Sequence, residues 1–228
     1  QSRSSAASDV YKRQFMKIAT VLRSGGDYNQ SHVQWLYKQL QADIEKVCFT
    51  DLTIPGVNTI KLTEDLPGWW SKIEMFNPDS VAEDIFYLDL DVVVVGDISD
   101  ILANKQLTML SDFFFPQKTK NSAIMRVPHE EKYKVWEAFK RYPELFMTRY
   151  QSGGDQEFIS KIYPHAAIWQ DILPGQIVSY KKHVIHKKKN EHATGDGTVP
   201  AGTRIVCFHG KPRPWDCGEA WVPPFEKA

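Results

Sequence analysis

The sequence predicts an α/β fold with a Rossmann-like, mostly parallel central sheet flanked by helices. Short apolar runs rich in β-branched residues alternate with segments whose apolar residues recur at helical spacing, the pattern of a sheet covered on both faces. The 228 residues fit one medium domain, long enough to bury a core without disulfides. No internal repeat and no composition break divides the chain.

The elements follow in order. Met16 to Leu22 reads as a natural start running into a first strand over Ile18–Leu22. The preceding residues 1–15 read as a non-native or disordered leader. They are polar, lack the apolar stretch of a signal peptide and resemble translated adaptor sequence. The domain is therefore expected over 16–228. Arg23-Ser24-Gly25-Gly26-Asp27 forms a turn after the first strand. Val33, Leu36, Leu40 and Ile44 then place one stripe on a helix packed against the sheet. Lys46–Thr50 is a second strand, Gly68–Phe76 a helix and Ile85–Leu88 a buried strand. Ser122–Val127 is another strand, and Pro128 opens a helical stretch to Tyr142. Gly154–Tyr163 is a shorter helix and Arg204–Phe208 a late strand. The polar, basic, glycine-containing segment from Lys181 to Gly202 reads as a mobile loop.

Composition narrows the function. Lysine plus arginine number 28 and aspartate plus glutamate 28, so no net charge draws the chain to nucleic acid or an anionic membrane. No apolar run is long enough for a transmembrane segment. Cys48, Cys207 and Cys217 are odd in number and lack metal-type spacing, which suits a cytoplasmic protein better than a secreted scaffold. The glycine turn after the first strand has neither the dinucleotide-binding Gly-x-Gly-x-x-Gly pattern nor a Gly-Lys-Ser/Thr phosphate loop. A nicotinamide enzyme and a P-loop nucleotidase are thereby disfavoured.

Two acids interrupt the apolar stretch from Ile85 to Val95. In extended backbone Asp89 and Asp91, two residues apart, face the same side. Two adjacent carboxylates repel each other and are costly to bury, and a divalent cation resolves both problems. Open α/β sheets also hold ligands beyond the carboxyl ends of their strands, where this pair falls. A solvated turn between two strands remains the alternative for the pair by itself. Near the carboxyl end, Ile205–Phe208 delivers His209-Gly210-Lys211-Pro212-Arg213-Pro214-Trp215. Such a histidine can ligate a metal, glycine permits close backbone approach to phosphate, and lysine supplies a point charge. An ordinary proline-rich tail is the competing reading.

Tyr87-Leu88-Asp89-Leu90-Asp91, followed by Gly96-Asp97-Ile98, resembles the metal-binding segment of glycogenin-like, family 8 retaining glycosyltransferases. His209-Gly210-Lys211-Pro212-Arg213-Pro214-Trp215 is similar to that family's late histidine-glycine-lysine-proline-tryptophan motif. Here the histidine, glycine and lysine are consecutive where the family separates them, so Arg213 is a substitute for Lys211 in contacting phosphate. The resemblance implies a nucleotide-diphospho-sugar transferase (GT-A type) fold. It implies transfer of a hexose from a nucleotide-sugar donor, UDP-linked, to a carbohydrate or other hydroxyl acceptor, with retention. Asp89, Asp91 and His209 would hold Mn²⁺ or Mg²⁺.

By the same resemblance, Asp155 and Gln156 in Ser152-Gly153-Gly154-Asp155-Gln156 lie beside the anomeric carbon as the catalytic pair. Asn121, Lys72, Gly210 and Lys211 lie along the donor. Without the resemblance, Asp155 is equally a first-turn helix acid, Asn121 a turn residue and Lys72 a solvated helix lysine. Arg23 is expected to approach the diphosphate, and Asp27 and Tyr28 the base, Tyr28 by stacking. The basic run Lys181–Lys189 is either a solvated loop, a lid over the diphosphate or a dock for an anionic acceptor. Two other functions stay open: a sugar-phosphate nucleotidyltransferase, and a non-catalytic module binding nucleotide sugar or carbohydrate.

Overall fold

The computed structural model describes residues 16–41 and 43–226, apart from the side chain of Lys189. The leader expected at residues 1–15 lies outside the described residues. The chain forms β1 (Met16–Leu22), α1 (Gln30–Gln39), β2 (Lys46–Thr50), β3 (Asn58–Lys61) and a 3-10 segment over Gly68–Phe76. Next come β4 (Asp84–Leu88), β5 (Val92–Val94), α2 (Ser99–Ala103), β6 (Thr108–Ser111) and β7 (Lys120–Val127). The remaining elements are α3 (His129–Arg141), α4 (Pro143–Arg149), α5 (Gly154–Ile162), β8 (Ala167–Ile168), α6 (Trp169–Ile172), β9 (Ile177–Ser179) and β10 (Ile205–Cys207).

Seven strands make the main sheet in the order β3-β2-β1-β4-β7-β6-β8. The β3, β2, β1 and β4 strands run parallel, and β8 joins β6 in parallel. The β7 strand is antiparallel to both β4 and β6. A second sheet of three strands, β5-β10-β9, stands apart from it. The expected mostly parallel sheet is thus present, with one antiparallel insertion.

Alternation along the strands explains why both faces are buried. Ile18, Leu22, Cys48, Phe86 and Leu88 pack on one face with Val33 and Leu36 of α1. Ala19, Val47, Phe49, Ile85 and Tyr87 pack on the other with Val135 and Phe139 of α3 and Phe158 of α5. Trp169 is fully buried, lies edge-on to Phe86 and donates from Nε1 to the Ile124 carbonyl of β7 at 3.2 Å. Among the described residues, no helix is long and apolar enough to cross a membrane. All three cysteines are free thiols.

Several boundaries differ from the sequence reading. The first helix ends at Gln39, with Leu40 as its cap, so Ile44 falls outside it. Gly68–Phe76 winds as a tighter 3-10 segment. Its residues from Trp70 to Phe76 are all buried, and no single stripe favours an α-helix. The segment expected to be a mobile loop carries a π-turn over Tyr180–Val184 and a 3-10 turn over Lys187–Lys189. Thr194 donates back to the Lys182 carbonyl and closes it.

Trp169→Ala should cost about 3–5 kcal/mol, the range for emptying a large buried aromatic. Urea unfolding should show the loss as a lower midpoint with an unchanged slope. A change below about 1 kcal/mol would mean that this side of the sheet does not depend on it.

Candidate active site

Asp89 and Asp91 sit where the chain leaves one sheet and enters the other. The Asp89 amide donates to the Ala123 carbonyl at 2.8 Å and so extends the β4–β7 pairing. The Asp91 carbonyl accepts from the Phe208 amide at 3.1 Å, beside the pairing of Val92 with Cys207. Leu90 and Asp91 form a turn rather than the continuous strand that strand alternation assumed. The two carboxylates still line the same cavity, because the turn folds over the junction of the sheets.

That cavity has a volume of about 710 Å³, within the range of small-molecule sites. It brings together Arg23, Asp27, Tyr28, Lys72, Asn121, Asp155, Gln156, His209 and Gly210 with the acid pair, but not Lys211. Arg213 lines it in place of Lys211. A second groove of about 550 Å³, between α1 and the segment Pro223–Glu226, has no such acid pair.

Each acid is held by a cation from a different side. Lys72 Nζ lies 3.1 Å from Asp89 Oδ1 and 3.1 Å from Asp155 Oδ2, and donates to Ser122 Oγ at 3.2 Å. The Tyr87 hydroxyl donates to Asp89 Oδ1 at 2.6 Å. Across the cavity, Arg213 Nη1 pairs with Asp91 Oδ2, which also accepts from the Tyr28 hydroxyl at 3.1 Å. The Arg213 guanidinium lies over the Tyr28 ring, 5.0 Å from its centre.

Burial and the neighbouring Asp89 charge push the Asp91 carboxyl up to about 7, against the pull of Arg213 and Tyr28. Burial also raises Asp155, with Lys72 opposing. Burial disfavours the Lys72 ammonium, yet the Asp155 and Asp89 charges outweigh it and raise its pKa. Two carboxylates lining one cavity offer the oxygen donors that a divalent cation takes. His209 lines the same cavity, and burial with Lys181 beside it lowers its ring to about 4, so it is neutral at pH 7. Its Nε2 is 2.7 Å from Ser179 Oγ, and Phe113 stacks on the ring. Among the described residues, no group of three or more His, Cys, Asp or Glu side chains is arranged to hold a metal.

The other candidates divide. Asp155 stands in the first turn of α5 but caps nothing; its carboxylate turns to Lys72. Gln156 Oε1 accepts from the Ser122 amide at 3.3 Å, and Asn121 Oδ1 from the Ala123 amide at 2.8 Å. Arg23 is occupied by two acids, pairing with Asp65 and lying 3.6 Å from Asp51. Asp27 is largely exposed and approaches Arg213 only to 3.9 Å.

Sequence reasoning missed Tyr87, Trp69 and Phe113, because aromatic residues in or near apolar runs look like core. Trp69 had a signal in Gly154. That glycine has φ +62°, and a Cβ there would come within 2.6 Å of Trp69 Nε1, so the exposed indole rests on the glycine beside Asp155.

No protein-family model matches the chain, and no curated protein matches it. Solved structures do. An active-site mutant of LgtC aligns with a TM-score of 0.62 at 12% identity, over 90% of this chain and 92% of that one. The galactosyltransferase LgtC in complex with donor and acceptor sugar analogs aligns with a TM-score of 0.60 at 12% identity, over 89% and 90%. The glycosyltransferase GlyE of Streptococcus pneumoniae TIGR4 aligns with a TM-score of 0.62 at 14% identity, over 88% of this chain and 56% of GlyE. The fold is therefore that of these glycosyltransferases.

Removing Lys72 should leave Asp89 and Asp155 facing each other without a counter-charge, at a cost of about 3–5 kcal/mol near neutral pH. The raised Lys72 pKa keeps its own contribution fully present from pH 5 to 8; it is lost only as pH rises through the lysine range. The Asp155 pKa is raised above its unfolded value of about 3.9, so stability falls as pH rises from there up to the elevated value. Lys72→Met should consequently be most destabilised at pH 8 and recover towards pH 4.5. A pH-independent deficit in urea unfolding, measured with EDTA present, would contradict the charge argument.

Proposed function

We propose that the protein is a metal-dependent glycosyltransferase of the glycogenin-like kind. It would move a hexose from a nucleoside-diphosphate sugar, UDP-linked, to a carbohydrate or other hydroxyl acceptor with retention, in the cytoplasm. The observation that carries the proposal is one cavity holding the acid pair Asp89 and Asp91 together with Asp155, joined to Asp89 through Lys72, in a glycosyltransferase fold. Retention and the UDP base rest on the resemblance of the two short motifs.

Asp89 and Asp91, with the neutral His209 ring, are the residues that would hold Mn²⁺ or Mg²⁺. The bound cation would neutralise charge developing on the departing diphosphate. The chain's own groups have separate tasks. Lys72 sits between Asp89 and Asp155 and fixes the direction of both carboxylates. Asp155 and Gln156, at the start of α5, would face the anomeric carbon, where positive charge develops as the bond to phosphate breaks. Asn121 would orient sugar hydroxyls from β7. Tyr28, with Asp27 beside it, would stack on the base. Arg213 would stand on the phosphate side, because it lines the cavity where Lys211 does not.

A donor screen with Mn²⁺, scored by nucleoside diphosphate release, tests the proposal. Metal-dependent release is expected in the wild type, with a loss of at least about 100-fold, or 2.7 kcal/mol, in Asp91→Asn. Equal metal-dependent turnover in both proteins would overturn it. Pyrophosphate release from a nucleoside triphosphate would instead identify a nucleotidyltransferase. Tight binding of UDP-sugar without turnover across a broad acceptor panel would identify a binding module.

A further inference from the structure

The Lys181–Lys189 run sorts itself in the fold. Lys182 donates to the His192 carbonyl at 2.8 Å and covers the Phe114 ring. Lys187 and Lys188 are exposed. Lys181 does not itself line the cavity, but its Nζ lies 3.4 Å from where a Cβ on Gly210, a lining residue, would stand. Among the described residues, its ammonium has no hydrogen bond or ion pair.

Its position is held from both sides. Ser179 pairs in parallel with Cys207, so the turn over Tyr180–Val184 starts beside the chain that reaches His209 and Gly210. Ser179 Oγ meets His209 Nε2 at 2.7 Å and accepts from the Lys182 amide at 3.1 Å. Tyr180 stacks on Phe208 with ring centres 4.4 Å apart, and its hydroxyl donates to Glu219 at 2.9 Å. Lys181 directly follows these two anchors in the chain. Arg213 is near enough to repel it, and the Asp91 charge attracts it. Two cations thus converge on a glycine-lined wall, and Arg213 is already committed to Asp91. Free ammonium beside backbone that a side chain does not cover is an arrangement for a multiply charged oxyanion.

We infer that Lys181, set against Gly210 and working with Arg213, binds the diphosphate of the nucleotide, the task that the sequence motif assigns to Lys211. This rests on the glycosyltransferase reading above. It adds that the lysine charge on the phosphate comes from the turn after β9 rather than from Lys211, so that Ser179 and Tyr180 act as positioning residues for it.

Calorimetric titration with UDP and with UMP tests the inference on the full chain. Wild type, Lys181→Ala, Lys181→Arg and Lys188→Ala are compared at low and high salt, after matching circular dichroism and melting curves. Lys181→Ala should bind UDP at least about tenfold more weakly, lose most of the preference for UDP over UMP, and show a weaker salt dependence. Lys181→Arg should restore most of the affinity. Lys188→Ala, which removes the same charge from an exposed site, should stay within about twofold of wild type. UDP binding by Lys181→Ala within twofold of wild type would overturn the inference, as would an equal loss in Lys188→Ala. A wild type that binds none of UDP, GDP, ADP or CDP would instead remove the glycosyltransferase reading.

Discussion

Two carboxylates brought to one cavity by a turn between sheets are the constraint on which the rest of this site depends. Asp91 is only 6% exposed, and Asp89 is close enough to raise its pKa. Such a pair is stable only if positive charge reaches it. Lys72 supplies charge from the 3-10 segment on one side, and Arg213 from the late loop on the other. Burial, with the Asp89 charge behind it, keeps the Asp91 carboxyl raised to about 7 despite its contact with Arg213. On the proposed function, a bound divalent cation would favour the ionised form of both acids.

The division between the two sheets gives the site its two halves. The seven-stranded sheet brings Asp89, Asn121 and, through α5, Asp155 and Gln156. The three-stranded sheet brings Asp91 before β5 and His209 and Gly210 after β10, with Lys181 following β9 beside Gly210. Leu90 links them, and the buried Val92 and Val93 anchor the crossing in the core. On the proposed function, the halves correspond to the sugar end and the phosphate end of one donor.

Much of this was legible in the sequence wherever one local rule governed. The strands β1, β2, β4, β7 and β10 were readable because each is a short apolar run facing core on both sides. The β3 strand was not, since it is an exposed edge strand with the sequence Asn-Thr-Ile-Lys and little apolar pattern. The acid pair was found from the right residues by an incomplete argument: strand alternation predicted its convergence, but a turn between sheets produces it. Asp155 escaped the capping explanation only once Lys72 was seen beside it. Lys181 and Lys182 are indistinguishable in sequence, and only the parallel pairing of β9 with β10 decides which ammonium meets Gly210.

The most direct test of the acid pair as the cation-binding centre is Mn²⁺ binding followed by water-proton relaxation, with and without UDP. The account predicts one Mn²⁺ per chain, bound more tightly when UDP is present, and loss of that site in both Asp89→Asn and Asp91→Asn. Undiminished Mn²⁺ binding in those variants, or none in the wild type at millimolar Mn²⁺ with UDP, would contradict it.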